Sequence, residues 1–513
     1  MSKNKIVVLS DIHIGPNAPT VWYQKDFHEP YLTTILDYVI QQKNSIRELL
    51  LLGDVVDFWT YPPDEQPPSF GDIIAANPNI FGSNGKLSDV LTALDGTVTY
   101  IRGNHDINIT QEDLNQIKNP KGYKIRLSSD DIYFPLENGN KKIACTHGHI
   151  FTMFNAPDRS TKFNPLPVGH FVTRAVAYQQ KRTLKPGQTV ADLPNQGAPN
   201  GINISDLIQV LPQSPTETFS ITQLLLNYIS YVTQIPPDEP IILPEGQTTT
   251  VAEAKLLYSM LWEQWVHQYG GDIDGFLAAI KAVIADANGY YMGWFAQKLA
   301  LECGADLVVM GHTHTPISGL EKALIQYVNS GFECPSKPDI GKQYPTFTEI
   351  DIERCQASVF KVIHNNGSYQ IKACDAEQAS VIIPGLSQDY SCYLIVDNTN
   401  GSSELKRVNY SATQGYYVVA PPERILPGER GRFWIQDYPA GINPGNLLKG
   451  SEGQVTYSGG GRQITLTYAC PVGFWTSNQC SGTNFYTSTD GQNWGNMNQI
   501  QKLGHPFFVR FIT

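Results

Sequence analysis

The sequence predicts an α/β domain of layered architecture followed by a smaller all-β domain. Over the first 150 residues, short apolar runs typical of buried strands alternate with stretches of helical spacing, which is the pattern of an α/β fold. From about residue 381 the pattern changes to strands with period-two alternation, separated by turns rich in Gly, Asn and Ser. The chain has 513 residues, more than one hydrophobic core normally supports, so two domains are expected.

The strands predicted for the first domain end in polar residues. Apolar runs predict five buried strands, at 6–10, 48–52, 98–101, 142–146 and 306–310. Helical spacing predicts helices at 29–42 and 87–94, and later strands at 324–331, 347–352 and 357–363 complete a domain with the limits 1–374. Residues just past the strand ends of a layered sheet lie along one edge, where ligands bind. We therefore expect the functional site at this edge.

A long insertion, at about 151–295, separates the fourth of these strands from the fifth. Its first part, 151–216, is rich in Pro and Gly and is predicted to be mostly loops. Helical patterns follow at 221–232, 251–269, 273–287 and 290–303. The insertion could simply thicken the domain. We favour a cap over the strand-end edge, because the insertion emerges there and such segments usually shape the substrate pocket.

Nine side chains of metal-binding types follow the predicted strands. They are Asp11, His13, Asp54, Asp57, Asn104, His105, His147, His312 and His314. Carboxylate, amide oxygen and imidazole are ligands for borderline-hard divalent ions such as Mn²⁺, Fe²⁺, Co²⁺ and Zn²⁺. These groups are too many for one ion, and a carboxylate can bridge two. The residues therefore predict two divalent metal ions about 3.5–4 Å apart, which would activate a hydroxide for attack on a phosphate ester.

The same segments resemble the pattern of the calcineurin-like metallophosphoesterases, which runs D-x-H, G-D-x-x-D, G-N-H-D/E, H and G-H-x-H. The resemblance covers roughly residues 5–365 without the insertion. It implies an α-β-β-α sandwich with a large, partly helical insertion. It also implies two metal sites bridged by Asp54. One metal would have the ligands Asp11, His13 and His314, and the other would have Asn104, His147 and His312.

The resemblance also implies catalytic roles for two of the nine residues. His105 matches the family's histidine that contacts the substrate phosphate and can protonate the leaving oxygen. Asp57 matches the carboxylate that orients this histidine and keeps it protonated, because a nearby anion raises the pKa of an imidazole.

Two departures from related branches limit what the resemblance implies about substrate. Where the phosphoprotein phosphatases have a phosphate-binding arginine, this chain has Phe58, followed by Trp59. This puts protein phosphatase activity in doubt and predicts an apolar wall beside the site. The G-D-x-x-D-F-W sequence and the long insertion are similar to the UDP-2,3-diacylglucosamine hydrolases, which cleave a pyrophosphate bond under a helical cap. Those enzymes have an arginine where this chain has His105, and a shorter cap, so we do not transfer their substrate.

The second domain, 381–513, is predicted to be a β-sandwich or barrel without a metal-binding constellation. Its predicted strands are 392–396, 416–420, 431–435, 453–457, 463–468 and 507–512. The stretches 421–428, 433–434 and 450–457 resemble the aegerolysins and related crystal-protein β-sandwiches, which bind membrane lipids. The resemblance implies a lipid- or surface-binding module. The alternative is a generic sandwich that serves in protein interaction or folding.

Composition excludes some classes of protein. The net charge of −11 argues against a nucleic-acid partner. No apolar run reaches the roughly 18–20 residues of a transmembrane helix, and the N-terminus has no signal-peptide core, so a cytoplasmic location is expected, with peripheral membrane association possible. The eight cysteines form no C-x-x-C pair and are expected to be buried thiols, although a Cys470–Cys480 bridge stays open.

Two functions of different classes compete. The leading hypothesis is a dinuclear metal-dependent phosphohydrolase that cleaves a phosphodiester or phosphomonoester, with a phospholipid or a lipid-linked nucleotide as the first substrate class to test. The alternative is a lipid-binding, toxin-like or interaction protein in which the phosphoesterase domain is accessory. Six further residues are ambiguous between packing and a place in the site: Trp22, Tyr23, Trp59, Tyr61, His149 and His170.

Overall fold

The computed structural model describes residues 3–136, 140–194, 219–287, 289–332, 334–382, 389–438, 450–473 and 476–513. Internal contacts divide the chain into two units. Unit 1 comprises Met1–Met292, Val309–Ser318 and Tyr327–Glu377, and unit 2 comprises Gly293–Val308, Gly319–Gln326 and Gln378–Thr513. The limits 1–374, 151–295 and 381–513 drawn from the sequence stay a prediction.

Two sheets are built from the strands that precede residue 380. In chain order the strands are β1 (Lys5–Leu9), β2 (Ile46–Leu52), β3 (Val98–Ile101), β4 (Arg126–Leu127), β5 (Ile132–Tyr133), β6 (Ile143–Thr146), β7 (Pro240–Ile242), β8 (Thr248–Thr250), β9 (Leu307–Met310), β10 (Ile317–Leu320), β11 (Gln326–Asn329), β12 (Thr346–Asp351), β13 (Gln356–Asn365), β14 (Ser368–Ala373) and β15 (Glu377–Ala379). The first sheet has the order β14-β13-β12-β1-β2-β3-β4 and the second β15-β10-β11-β9-β6-β5. Strands β7 and β8 form a separate hairpin.

Among the described residues before 304, the α-helices are α1 (Lys25–Gln41), α2 (Phe70–Ala76), α3 (Pro78–Phe81), α4 (Lys86–Ala93), α5 (Gln111–Leu114), α6 (Val168–Thr183), α7 (Ile221–Thr233), α8 (Val251–Leu257), α9 (Leu261–Gln268), α10 (Ile273–Ala287) and α11 (Gly293–Cys303). This mixture of helices with a central parallel sheet confirms the predicted α/β class. None of the described helices combines the length and the apolar composition needed to cross a bilayer.

Strands β1, β2 and β3 run parallel in the middle of the first sheet, and their apolar sequences explain this position. Every residue of β2 except Arg47 is buried, because the sheet is covered on both faces. On one face, Val7 and Leu9 of β1 pack in the same core as Leu32 and Ile35 of α1. The parallel register brings the carboxyl ends of all three strands to one edge.

Two predictions for the insertion are wrong in detail. The stretch predicted as loops contains α6, a 16-residue helix that buries Val168, Phe171 and Ala175. Prolines suggested a loop there, but Pro167 lies at the N-cap, a position where a missing N–H costs nothing. Residues 195–218 of that stretch lie outside the described residues. The helix predicted over 251–269 is two helices, α8 and α9.

Ten strands of the described residues form the predicted β-sandwich. They are β16 (Cys392–Asp397), β17 (Leu405–Gln414), β18 (Tyr416–Val419), β19 (Arg424–Ile425), β20 (Arg430–Gln436), β21 (Ser451–Gly459), β22 (Arg462–Cys470), β23 (Gln479–Ser481), β24 (Asn484–Ser488) and β25 (Phe507–Ile512). They make two five-stranded sheets, with the orders β18-β20-β16-β25-β24 and β19-β17-β21-β22-β23. One core contains side chains from both sheets, for example Leu394 and Val509 with Val455 and Leu466.

Unit 2 also contains a helix. The other face of the β16 sheet is apolar, and α11 packs there through Trp294, whose ring centroid lies 5.8 Å from that of Trp434. The Trp294 indole N–H donates to the Gln436 side chain over 3.1 Å. All eight cysteines are free thiols, so Cys470 and Cys480 do not form the bridge that the sequence left open.

Candidate metal centre

The nine side chains predicted for the site converge at the strand-end edge of unit 1. They follow β1, β2, β3, β6 and β9, and seven of them are at most 5% exposed, while His312 and His314 are half-buried. Three groups of the described residues each have ligand atoms that lie within 4.8 Å of one another, and two of these groups share His13. The groups are Asp11, His13 and His314; Asp54, His147 and His312; and His13, Asp57 and His105.

The first group presents a buried carboxylate to two imidazoles. The Nε2 atoms of His13 and His314 lie 3.1 Å apart. Asp11 Oδ1 lies 3.9 Å from His314 Nε2, and Asp11 Oδ2 is buried without a hydrogen-bond partner in the described structure. Facing ring nitrogens next to an orphaned carboxylate oxygen suit a cation, because each of them offers a lone pair.

An amide oxygen lies beside the second group. Asn104 Oδ1 lies 3.0 Å from His312 Nδ1 and 3.3 Å from His147 Nε2. His147 Nε2 is also 3.2 Å from Asp54 Oδ2. The same Asp54 oxygen is 3.9 Å from His13 Nε2 in the first group, so Asp54 lies between the two groups.

Hydrogen bonds on the outer side of two imidazoles set which ring nitrogen faces the site. His147 Nδ1–H donates to the Leu52 carbonyl over 2.8 Å, and His13 Nδ1 is 2.9 Å from Asp57 Oδ2. A proton on Nδ1 leaves the Nε2 lone pair free to bind a metal. Burial lowers the pKa of His147, but Asp54 and Asp11 outweigh burial and raise it to about 9. The negative potential that favours this proton would equally favour a bound cation.

His105 forms the third group with the same carboxylate. Its Nδ1 lies 3.1 Å from Asp57 Oδ2, while Asp57 Oδ1 accepts the backbone N–H groups of Trp59 and Thr60 at 2.7 and 3.0 Å. Burial acts to raise the pKa of Asp57, but His105 and His13 hold it well below its usual range. Burial likewise lowers the pKa of His105, and the Asp57 and Asp54 carboxylates outweigh this and raise it. The pair therefore favours an anionic Asp57 beside a protonated His105.

The backbone at the site is strained. Five of the nine residues have a positive φ between 52° and 73°, which only glycine adopts without cost: Asp11, His13, Asp54, His312 and His314. The neighbouring glycines permit the close approach of the loops. A Cβ at Gly103 would lie 2.2 Å from Asp54 Oδ1, and one at Gly53 would lie 2.6 Å from the His147 ring. Strain of this kind persists where surrounding contacts fix the loops for function.

Comparison with known proteins identifies the domain. Residues 4–189 match the family model described as Calcineurin-like phosphoesterase. Unit 1 contains a calcineurin-like phosphoesterase domain. The chain is accordingly a metal-dependent hydrolase of phosphoric ester bonds. The match includes seven of the nine site residues, and only His312 and His314 lie beyond it.

Other comparisons are weaker. A search of curated protein sequences found no match. Among solved structures, the lipid binding protein Nakanori is 12% identical, with 25% of this chain and 71% of that chain covered and a TM-score of 0.19. RahU protein in complex with TRIS is 13% identical, with 24% of this chain and 92% of that chain covered and a TM-score of 0.18. Scores this low carry no argument about function.

Two further polar residues of unit 1 contact the site and were not predicted from the sequence. Asp106 accepts hydrogen bonds from Gly103 N at 2.6 Å, Val55 N at 2.9 Å and the Tyr100 hydroxyl at 2.5 Å, and so ties the loops after β2 and β3 together. Its position in the G-N-H-D block was a usable signal. Asn155, in the insertion, accepts a hydrogen bond from Asn104 Nδ2 over 3.3 Å. No motif in the sequence points to this residue.

The two ambiguous histidines are both buried. The His149 ring centroid lies 5.3 Å from that of His147, and His170 meets the Trp59 ring edge-on at 5.3 Å. Burial lowers the pKa of each well below the usual range, so both imidazoles are neutral at neutral pH. Neither belongs to the three groups: His149 packs against the proposed ligand His147, and His170 packs against Trp59.

Proposed function

We propose that this protein is a dinuclear metal-dependent phosphohydrolase that cleaves a phosphodiester or a phosphomonoester. The observation that carries the proposal is the pair of ligand groups that meet at Asp54. Its carboxylate would bridge two divalent ions, with Mn²⁺, Fe²⁺, Zn²⁺ and Co²⁺ as candidates. The remaining ligands would be Asp11, His13 and His314 for one ion and Asn104, His147 and His312 for the other.

The ions, when bound, would activate water as the nucleophile and neutralise charge on the phosphate. The chain supplies the acid. His105 holds a proton that it can give to the leaving oxygen, since Asp57 occupies its Nδ1 side and its ring lies edge-on to that of the proposed ligand His13 at 4.5 Å. Asp57 keeps this imidazole oriented through an oxygen that it also uses to orient His13.

Mutation of the bridging carboxylate tests the reaction. We expect Asp54→Asn to bind less metal and to lose at least about 10²-fold in turnover of bis(p-nitrophenyl) phosphate and p-nitrophenyl phosphate, because it removes a charge shared by both ions. Asp238→Asn, at an exposed position, is the control and should match the wild type. Hydrolysis by Asp54→Asn at the wild-type rate would overturn the proposal.

For the natural substrate we propose a phospholipid or a lipid-linked nucleotide. Phe58 next to Asp57 gives the site an apolar neighbour, and the charge of −11 disfavours polynucleotides. A screen of the Mn²⁺-loaded chain should show release of phosphate or headgroup from lipid substrates. Turnover of nucleic acid or cyclic nucleotides, with none of lipid phosphates, would contradict this substrate class.

We further propose that unit 2 directs the protein to a membrane surface. Three large apolar side chains are exposed on unit 2: Val408 and Tyr410 on β17, and Leu426 just after β19. Their exposed fractions are 49%, 42% and 43%. Apolar side chains of this kind insert at membrane interfaces. We expect the full chain to sediment with phosphatidylcholine–phosphatidylserine vesicles, and the triple serine variant of these residues to stay in solution.

A matched control and the alternative hypothesis complete this experiment. Leu256→Ser changes a side chain of the insertion that is 76% exposed, and it should leave sedimentation unchanged. If the triple variant sediments with vesicles as much as the wild type does, these side chains are not the membrane anchor. Strong vesicle binding combined with unchanged biological activity of Asp54→Asn would favour the alternative, a lipid-binding protein with an accessory phosphoesterase domain.

A further inference from the structure

The structure separates four aromatic residues that the sequence left ambiguous between packing and substrate contact. Tyr23, Trp59 and Tyr61 are at most 3% exposed. The Tyr61 hydroxyl donates to the Asp57 carbonyl over 3.0 Å, and Trp59 stacks on the His105 ring at a centroid distance of 4.5 Å. These three are packing residues. Trp22 differs, because it is only half-buried.

Trp22 lies against three histidines of the candidate centre. Its ring centroid is 4.5 Å from that of His13, 5.3 Å from that of His105 and 5.3 Å from that of His314. The indole therefore borders both the first ligand group and the proposed acid. It does so while part of its surface stays open to solvent.

The loop that carries Trp22 is fixed by hydrogen bonds. The Gln24 side-chain Nε2 donates to the Val21 carbonyl over 2.6 Å and to the Ala18 carbonyl over 3.0 Å. The Thr20 hydroxyl donates to the Thr60 carbonyl over 2.7 Å, in the segment that follows Asp57. These bonds hold the loop backbone, and the ring contacts with His13, His105 and His314 position the indole before any substrate binds, which lowers the entropic cost of using it as a contact surface.

We infer that Trp22 contacts the leaving group of the substrate and, of the two proposed substrate classes, selects the lipid-linked nucleotide, whose nucleoside leaving group carries a flat base. This inference rests on the proposed function. A leaving oxygen protonated by His105 must come within about 3 Å of its ring. The atoms attached to that oxygen then lie next to the indole, whose centroid is 5.3 Å from the His105 ring.

The chemistry of the indole favours an aromatic leaving group. Its flat face binds another flat ring by stacking, which contributes beyond the burial of apolar area. A short alkyl leaving group covers little of this face. The preference should therefore appear as a ratio of kcat/KM values between leaving groups of similar acidity and different ring area.

The test uses phenyl and 2-naphthyl phosphate and the methyl diesters of both, because the two phenols have similar acidity. We expect the metal-loaded wild type to prefer the naphthyl esters and Trp22→Ala to lower the naphthyl-to-phenyl ratio of kcat/KM about fivefold, with metal content unchanged. Trp22→Phe should keep most of the preference. Trp494→Ala, which changes a half-buried tryptophan of unit 2, should keep all of it.

Each other outcome overturns a specific part of the account. An unchanged ratio in Trp22→Ala, in protein with normal metal content, would overturn the inference and leave the proposed function standing. Loss of metal in Trp22→Ala would show that the indole only packs behind the ligands, and would also overturn it. If the metal-loaded wild type hydrolyses none of the four esters, the proposed function fails and the inference with it.

Discussion

At the scale of single residues, one oxygen of Asp57 has two neighbours with different roles. It lies 2.9 Å from His13 Nδ1 and 3.1 Å from His105 Nδ1. The first contact orients a proposed ligand and the second orients the proposed acid. Substitutions at His105 and Asp57 should therefore have different effects on metal content, although both lower turnover.

Replacement of the proposed acid should affect chemistry alone. We expect His105→Ala to lower kcat about 10²- to 10³-fold, because general-acid assistance to the leaving oxygen is lost. Its metal content, measured by elemental analysis after dialysis, should stay near that of the wild type. Loss of a metal ion from this variant would mean that His105 is a ligand and not the acid.

Replacement of the Asp57 carboxylate should affect both turnover and metal binding. In Asp57→Asn, the neutral amide orients the two imidazoles less strongly than the carboxylate does, so we expect a loss in kcat comparable to that of His105→Ala together with a metal affinity about tenfold weaker. Titration of the metal-free protein with Mn²⁺ measures the second effect. Wild-type affinity with reduced kcat would restrict Asp57 to the orientation of His105.

At the scale of elements, the insertion supports the ligands. Asn155 accepts the Nδ2 hydrogen of Asn104, which leaves Asn104 Oδ1 directed at His147 and His312. Without this acceptor the amide could turn its nitrogen toward the metal. The orientation of a proposed ligand thus depends on a segment that interrupts the predicted family pattern.

Removal of this support should weaken one metal site. We expect Asn155→Ala to lower the affinity for one of two Mn²⁺ ions about tenfold, and excess Mn²⁺ to restore kcat. Asn227→Ala changes an exposed asparagine of the insertion and serves as the control. Equal titration curves for the two variants would show that Asn155 does not fix the amide.

Prediction from the sequence succeeded for elements whose signal is local. The runs that became β1, β2 and β3 are apolar enough to predict buried strands, and the site residues follow them directly. By contrast, Leu405 is the only buried residue of β17, so this strand shows no apolar alternation in the sequence. Its extended conformation is stabilised instead by its backbone pairing with β21. Helix α6 and Asn155 depend on tertiary contacts, which no local pattern records.

At the scale of the whole molecule, a buried carboxyl in unit 2 makes stability depend on pH. Asp389 is 1% exposed, and its Oδ2 has no hydrogen-bond partner in the described structure. Burial, reinforced by Asp437, raises its pKa to about 7. Since the folded chain holds a proton that the unfolded chain releases above a pKa of about 4, stability falls as the pH rises from about 4 to about 7.

An uncharged isostere should remove this dependence. Asn tolerates the left-handed backbone at this position, where φ is 55°. We expect Asp389→Asn to raise the free energy of unfolding by roughly 2–4 kcal/mol near pH 8 and by little near pH 4, as measured by calorimetry of the full chain. The same gain at both pH values would show that ionisation of Asp389 is not the cause.

In the proposed mechanism, two metal ions share Asp54 and enable phosphate-ester hydrolysis. This mechanism is tested most directly by titration of the metal-free chain with Mn²⁺ while hydrolysis of bis(p-nitrophenyl) phosphate is followed. We expect no turnover without metal and a rise in turnover that saturates at two bound ions per chain. Turnover by the metal-free chain, or saturation at a single ion, would contradict it.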